Sequence, residues 1–276
     1  VSNHRPNYLA GFGSLVWLFL VGLPLYAMLV ATLQSRTGYA ENGPLSLPDS
    51  PTFDNYLRIL QDPGSGFGRY FLNTALVTVC VVGLVLLLVP PLCYAIVRSR
   101  SRTTHTIFRL FLLGLAIPSQ AVIVPMFYVI SKAGLYDNLV GVVLPTAAFA
   151  MPVCALILTG VMRDITPDLY EAMTVDGASP SRVFFRLVLP LSRSGLSTIV
   201  VYSALQAWNG FLFPLVLTQS EETKVITLGL YDFQTEHGVD IPGLLTAVVL
   251  SLLPILLVYL CARRALVQGL MGVGGK

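Results

Sequence analysis

Tyr202, Gln206, Trp208 and Asn209 are the densest polar set inside the apolar stretches of this chain. Neutral amides beside an indole suit a neutral, polyhydroxylated ligand, held by hydrogen bonds and ring stacking. Gln206 and Asn209 share one helical face, with Tyr202 one turn below Gln206. Trp208 points elsewhere, toward a partner chain. The same amides would serve equally as glue between helices. A second, charged set lies between Arg163 and Ser194, a polar island separating two long apolar runs. It contains Glu171-Ala172-Met173-Thr174-Val175-Asp176-Gly177. Its chemistry is that of a docking surface, with Asp168 and Glu171 beside Leu169, Ala172 and Met173 on one helical face.

Catalytic readings find no residues to use. No His-Glu-x-x-His, no Gly-x-Ser-x-Gly and no paired intramembrane acids occur. Cys80, Cys93, Cys154 and Cys261 lie in or at the ends of apolar runs. They have neither disulfide nor zinc spacing and read as small packing residues. A Gly-x-x-x-x-Gly-Lys-Ser/Thr phosphate loop is missing, so ATP, if used, must bind another chain. No catalytic residue, metal or cofactor is expected.

The island reads as two short helices at a sharp angle. Thr166 can cap the first, Pro167 suits its first turn, and Asp168 lies at the positive end of its dipole. Gly177 supplies the left-handed residue that ends it. Ser179-Pro180 repeats this start, and Pro190 helps stop the second helix. A helix from Pro167 to Asp176 is too short to stand alone and must dock. The alternative to a protein groove is the bilayer surface.

The elements around the island belong to a polytopic membrane protein. Apolar residues make up 55% of the chain, charged residues only 11%, and the mean hydropathy is +0.75. The length allows about six spans of ~20 residues. They are drawn at Gly11–Leu33, Phe71–Val97, Leu110–Ile130, Leu139–Met162, Gly195–Leu217 and Leu244–Ala262. The first is read as a retained span and not a signal peptide. None contains Asp, Glu, Lys, Arg or His, which counts against a proton- or ion-coupled pump. Prolines such as Pro90, Pro91, Pro145, Pro152 and Pro254 can kink the spans that line a cavity.

Lysine and arginine set the orientation. The N-terminus, residues 98–109, the 163–194 loop and the C-terminal tail hold twelve of them, against five on the opposite side. The positive-inside rule then makes both termini and Glu171 cytoplasmic. The net charge of +3 marks topology, not nucleic-acid binding. The four arginines between Arg98 and Arg109 face an anionic inner leaflet as an anchor.

The island's spacing resembles the Glu-Ala-Ala signature of binding-protein-dependent ABC transporter permeases. Gly177 stands six residues after Glu171, and Leu189-Pro190 follow twelve and thirteen residues after the glycine. Met173 replaces the usual third-position Ala, and Leu187 stands where Ile is common. The resemblance implies that Leu169, Glu171, Ala172, Met173, Asp176, Gly177, Leu189 and Pro190 couple the chain to an ATP-hydrolysing subunit. The amphipathic piece Phe53-Asp54-Asn55-Tyr56-Leu57-Arg58-Ile59-Leu60, otherwise a short surface helix, is similar to an Asn-Tyr segment of sugar importers. Asn73-Thr74 matches the Asn-Thr pair that follows it. Ala207-Trp208-Asn209 resembles a segment after which those proteins often carry an acid, where Gly210 stands here. The tail from Arg263 to Leu270 resembles the C-terminus of the maltose-permease inner-subunit type.

The resemblance implies an all-α, type I ABC importer permease fold with six transmembrane helices. Residues 1–70 would hold the first helix and an external loop. Residues 71–262 would form a five-helix core with the 163–194 coupling loop, and 263–276 a cytoplasmic tail. Implied partners are a second permease, two ATPase subunits that hold ATP, an extracytoplasmic solute-binding protein, a sugar substrate and the bilayer of a bacterial plasma membrane. A secondary transporter or channel for a small neutral solute is the alternative, and a membrane scaffold without transport a third.

Overall fold

The computed structural model describes residues 8–61, 64, 66–235 and 238–274. Arg5 and Lys276, which count toward the orientation, lie outside them. In chain order, α1 (Tyr8–Thr32), α2 (Arg36–Asn42) and α3 (Asp54–Gln61) precede α4 (Phe67–Arg98), α5 (Arg102–Leu112), α6 (Ile123–Lys132) and α7 (Leu139–Arg163). The polar island folds as α8 (Pro167–Val175), α9 (Pro180–Val183), a π turn (Phe184–Val188) and α10 (Leu189–Leu191). Then come α11 (Arg193–Trp208), α12 (Leu212–Leu217), α13 (Ile226–Gly229) and α14 (Ile241–Gly274). Apart from a two-residue antiparallel ladder that pairs Gln234 with Val239 and Thr235 with Gly238, the described fold is all-α.

Among the described residues, four helices are long and apolar enough to cross a membrane, or six if each of two bent pairs forms one span. One bend and one break correct two expected spans. The stretch expected as Leu110–Ile130 is not continuous, because helical segments 102–116 and 119–132 meet at 96°. Pro118 explains the break: its ring pushes Ile117 out of the helical region, to φ −87 and ψ 113. The stretch expected as Gly195–Leu217 stops at Trp208 and resumes at Leu212. Pro214 has no N–H for the Gly210 carbonyl, and the Thr227 hydroxyl takes that place at 2.7 Å.

Contacts divide the chain into two units, residues 1–68 with 229–252 and residues 69–228 with 253–276. In the first unit, α3 packs instead of lying on the surface. The buried Asn55 amide donates to the carbonyls of Thr32 and Gln34, 3.0 and 2.8 Å away. The Thr32 carbonyl is one of the acceptors that α1 leaves at its C-terminal end. Tyr56 donates to the Thr32 hydroxyl at 2.8 Å, and Arg58 pairs with Asp240 at 2.7 Å.

The second unit is organised on α4. Val77, Val81, Val85, Val89 and Cys93 recur every fourth residue and are all buried. The first two pack with Val142, Val143 and Ala147 of α7, the others with Cys154, Leu158 and Met162 of α7 and Ile199 of α11. Gly195 lets α11 approach α7 closely, since a Cβ there would stand 3.0 Å from Val161 and 3.1 Å from Leu158. Leu158 is a fully buried core side chain with little room to give.

Candidate functional site

The polar island is seated on this second unit. Pro167 opens α8, and Thr166 holds the extended cap backbone, but its hydroxyl makes no capping bond. Asp168 lies in the first turn, where the helix dipole favours it. The far end is closed by a full Schellman motif. Gly177, at φ 71, donates its N–H to the Thr174 carbonyl at 3.0 Å, and Ala178 donates to Met173 at 2.9 Å. Met173 and Ala178, the two positions whose apolar side chains accompany such a motif, both pack on the core.

The two faces of α8 divide differently from the expectation. Tyr170 is the buried residue, 4% exposed, among Ile96, Phe108, Met162 and Val183. Its ring lies under the Arg98 guanidinium, 4.6 Å from the charge to the centroid. Burial raises the Tyr170 phenol above its ordinary range, and Arg98 opposes that shift. Met173 is half-buried on the same side and packs on the chain's own core, not on the open face. Leu169, Glu171, Ala172 and Asp176 are exposed. Val175, which the helical pattern did not single out, is 87% exposed. The open face is therefore apolar at Leu169, Ala172 and Val175, with carboxylates on either side.

The second half of the island corrects the role given to Pro190. Ser179 caps α9 by accepting the Arg182 N–H, 3.4 Å away. The helix then widens, with Leu189 N–H bonded to the Phe184 carbonyl five residues back. The wide turn gives the Pro190 ring room that a regular α-helix would deny it. Pro190 is exposed, Leu189 half-buried, and neither ends the helix. The break comes at Ser192, where the segments 180–191 and 193–208 meet at 76°.

On α11, Gln206 and Asn209 are exposed and Tyr202 is half-buried against the core. The Asn209 amide spends one donor on the Leu205 carbonyl at 3.0 Å. Trp208 does face away from the amides, but it packs within its own chain. Its ring meets Phe71 edge-on, with centroids 5.4 Å apart. It also closes an apolar cavity of about 200 Å³ with Ala204, Leu205, Pro254 and Ile255.

One cluster was not visible from the spacing of residues. Asp137, at φ 55, accepts the N–H groups of Gln219 and Ser220 at 2.8 and 3.0 Å and the Thr223 hydroxyl. Its own N–H donates to the Leu217 carbonyl at 2.8 Å. The Thr223 bond and then the two N–H bonds hold its carboxyl well below the usual carboxylate range. Asn73 supports the same loop from α4, donating to the carbonyls of Glu222 and Lys224 at 2.8 Å. Thr74 accepts the Ile226 N–H at 2.9 Å.

Comparison with known proteins identifies the family and the fold. Residues 81–272 match the family described as binding-protein-dependent transport system inner membrane component. A putative ABC transporter permease of Caldicellulosiruptor is 30% identical over 256 residues, covering 93% of this chain and 92% of the relative. The diacetylchitobiose uptake system permease of Streptomyces coelicolor is 33% identical over 252 residues, covering 91% and 82%. A bacterial ABC transporter that imports the acidic polysaccharide alginate contains a chain of the same fold. Its TM-score is 0.82 at 21% identity, over 95% of this chain and 99% of that one. The matched residues hold α8, Gly177, Pro190 and α11, and this chain belongs to the family of binding-protein-dependent transport system inner membrane components.

Proposed function

We propose that this chain is one permease subunit of an ATP-driven importer for a neutral sugar or oligosaccharide. A solute-binding protein delivers the sugar from outside, a second permease completes the pathway, and two ATPase subunits bind and hydrolyse ATP below. Both termini and the 163–194 loop are cytoplasmic in this reading, which the excess of Lys and Arg supports. The observation that carries it is α8, a nine-residue helix closed at its C-terminal end by the Gly177 turn, which turns Leu169, Ala172 and Val175 away from the chain's own core. Covering the exposed parts of Leu169 and Val175 in a groove would contribute roughly 1–2 kcal/mol each. A rigid-body swing of the loop then passes into the spans as a hinge motion. The substrate named for the Streptomyces coelicolor relative, diacetylchitobiose, supports the sugar class.

The direct test is uptake of labelled oligosaccharides into proteoliposomes holding both permeases, the ATPase and the binding protein. ATP-dependent uptake is expected, and its absence for every sugar tried, with the complex intact, would remove the reading. The two faces of α8 add a sharper expectation. Cysteine at Leu169 should crosslink to the ATPase, whereas cysteine at the half-buried Met173 should not. Along α11, Asn209→Ala should lower sugar uptake about threefold to tenfold while binding-protein-stimulated ATP hydrolysis continues. Loss of assembly of the two permeases instead would make Asn209 interhelical glue.

A further inference from the structure

Both helices of the island rest on one ridge of α4. Tyr94 and Arg98 are four residues apart, hence one above the other on the same helical face. Tyr94 packs at a tilt against Phe184, with centroids 5.3 Å apart, and donates its hydroxyl to the Pro180 carbonyl at 3.3 Å. Arg98 covers the Tyr170 ring. The first contact holds the α9 half of the island and the second holds α8. We propose that this Tyr94–Arg98 ridge is the receiving element of the coupling loop, and that Tyr170 and Arg98 are the positioning pair that passes α8's displacement into α4. The proposal rests on the coupling reading above and names the residues that would transmit the motion.

Three observations fit a transmitting contact better than a fixed anchor. The Tyr170 hydroxyl is buried without a hydrogen-bond partner, so the ring is held by packing and by the cation above it. Such a contact has no directional bond to break and lets the ring roll beneath the guanidinium. Next, Arg98 is the last residue of α4, and its own side chain is exposed. A push on it acts on the end of the helix, where leverage is greatest. Finally, Pro90 and Pro91 lie about two turns before Arg98 within α4. Neither has an N–H, so the carbonyls four residues earlier lack their helical donors, and the helix is softest there. The end segment carrying Tyr94 and Arg98 can therefore tilt against the rest of α4.

The test measures sugar taken up per ATP hydrolysed in the full reconstituted complex. Arg98→Gln removes the cation from an exposed position and should lower that ratio about threefold to fivefold. Arg98→Lys, which keeps a cation over the ring, should restore at least half of it. Tyr170→Leu should match Arg98→Gln, and Tyr170→Phe, which removes only the unpartnered hydroxyl, should transport like wild type. The double variant Arg98→Gln/Tyr170→Leu should be no worse than either single one, because both remove the same contact. Additive losses, or a wild-type ratio in Arg98→Gln, would overturn the proposal. If Tyr170→Leu fails to assemble, the Gln and Lys variants of Arg98 decide the matter alone. Wild-type complex whose uptake does not depend on ATP would overturn the coupling reading together with this one.

Discussion

Gly177→Val should reach the membrane at the wild-type level and lose at least nine-tenths of ATP-driven uptake. The position isolates one physical cause. A Cβ at Gly177 would meet nothing within 4 Å, so the substitution makes no clash. What it changes is the backbone, because φ is 71 and a β-branched residue is strongly disfavoured there. The strain is about 2 kcal/mol, which is worth more than tenfold in the population of the native turn. That turn carries both bonds of the Schellman motif, from Gly177 to Thr174 and from Ala178 to Met173. Without them α8 is a nine-residue helix with nothing to hold its last turn, and its outer face loses its aim. Asn tolerates the left-handed region, so Gly177→Asn should keep most of the uptake, and Gly177→Ala should fall between. Uptake normalised to the amount of complex in the membrane measures this directly. Equal transport by the Val and Asn variants would show that the left-handed turn does not govern coupling.

The caps of α8 were legible because they are local chemistry. Pro167 and Gly177 act on residues within one turn, so the helix expected to end at Asp176 ends at Val175. The side on which it lies was not local. A nine-residue helix with Leu169, Tyr170, Ala172, Met173 and Val175 is apolar on more than one face. Its own core and the proposed partner compete for those faces, and only the packed fold shows that Tyr170 and Met173 turn inward. The broken spans fail for a related reason: hydropathy measures how much of a segment is apolar and not its direction. Pro118 carried the signal for one bend and Pro214 for the break before Leu212, yet proline also sits inside α1, α4, α7 and α14 without interrupting them. Pro190 is the mirror case, a helix stop by its chemistry that the π turn accommodates. The clasp at Asp137 joins residues about eighty positions apart, beyond the reach of any period in the sequence.

Asp137→Ala should loosen the segment from Leu217 to Ile226 and raise its proteolysis about tenfold or more. Removing the carboxylate leaves the N–H groups of Gln219 and Ser220 and the Thr223 hydroxyl without their shared acceptor. Hydrogen bonds to a charged acceptor contribute about 1.5–3 kcal/mol when well enclosed. Because Asp137 is only half-buried, that range is the better figure for the whole clasp than for each bond. Asp137→Asn keeps an acceptor oxygen and the turn geometry but loses the charge, so it should lie between Ala and wild type. The dependence on pH has a definite sign. The carboxyl is held below its ordinary value in the folded loop, so its contribution is complete above the unfolded value of about 4. It is lost only as pH falls through the lower, folded value. Glu221 acts in the same direction, since Lys224 first and Tyr70 second hold its carboxyl down as well. A spin label at Glu222, whose side chain is 75% exposed, should therefore show constant mobility from about pH 8 to pH 5 and loosen in stronger acid. In Asp137→Asn part of that acid transition should vanish, leaving the part due to Glu221. Loosening near neutral pH, or an acid transition unchanged by the Asn substitution, would mean that the charge on Asp137 does not hold the loop.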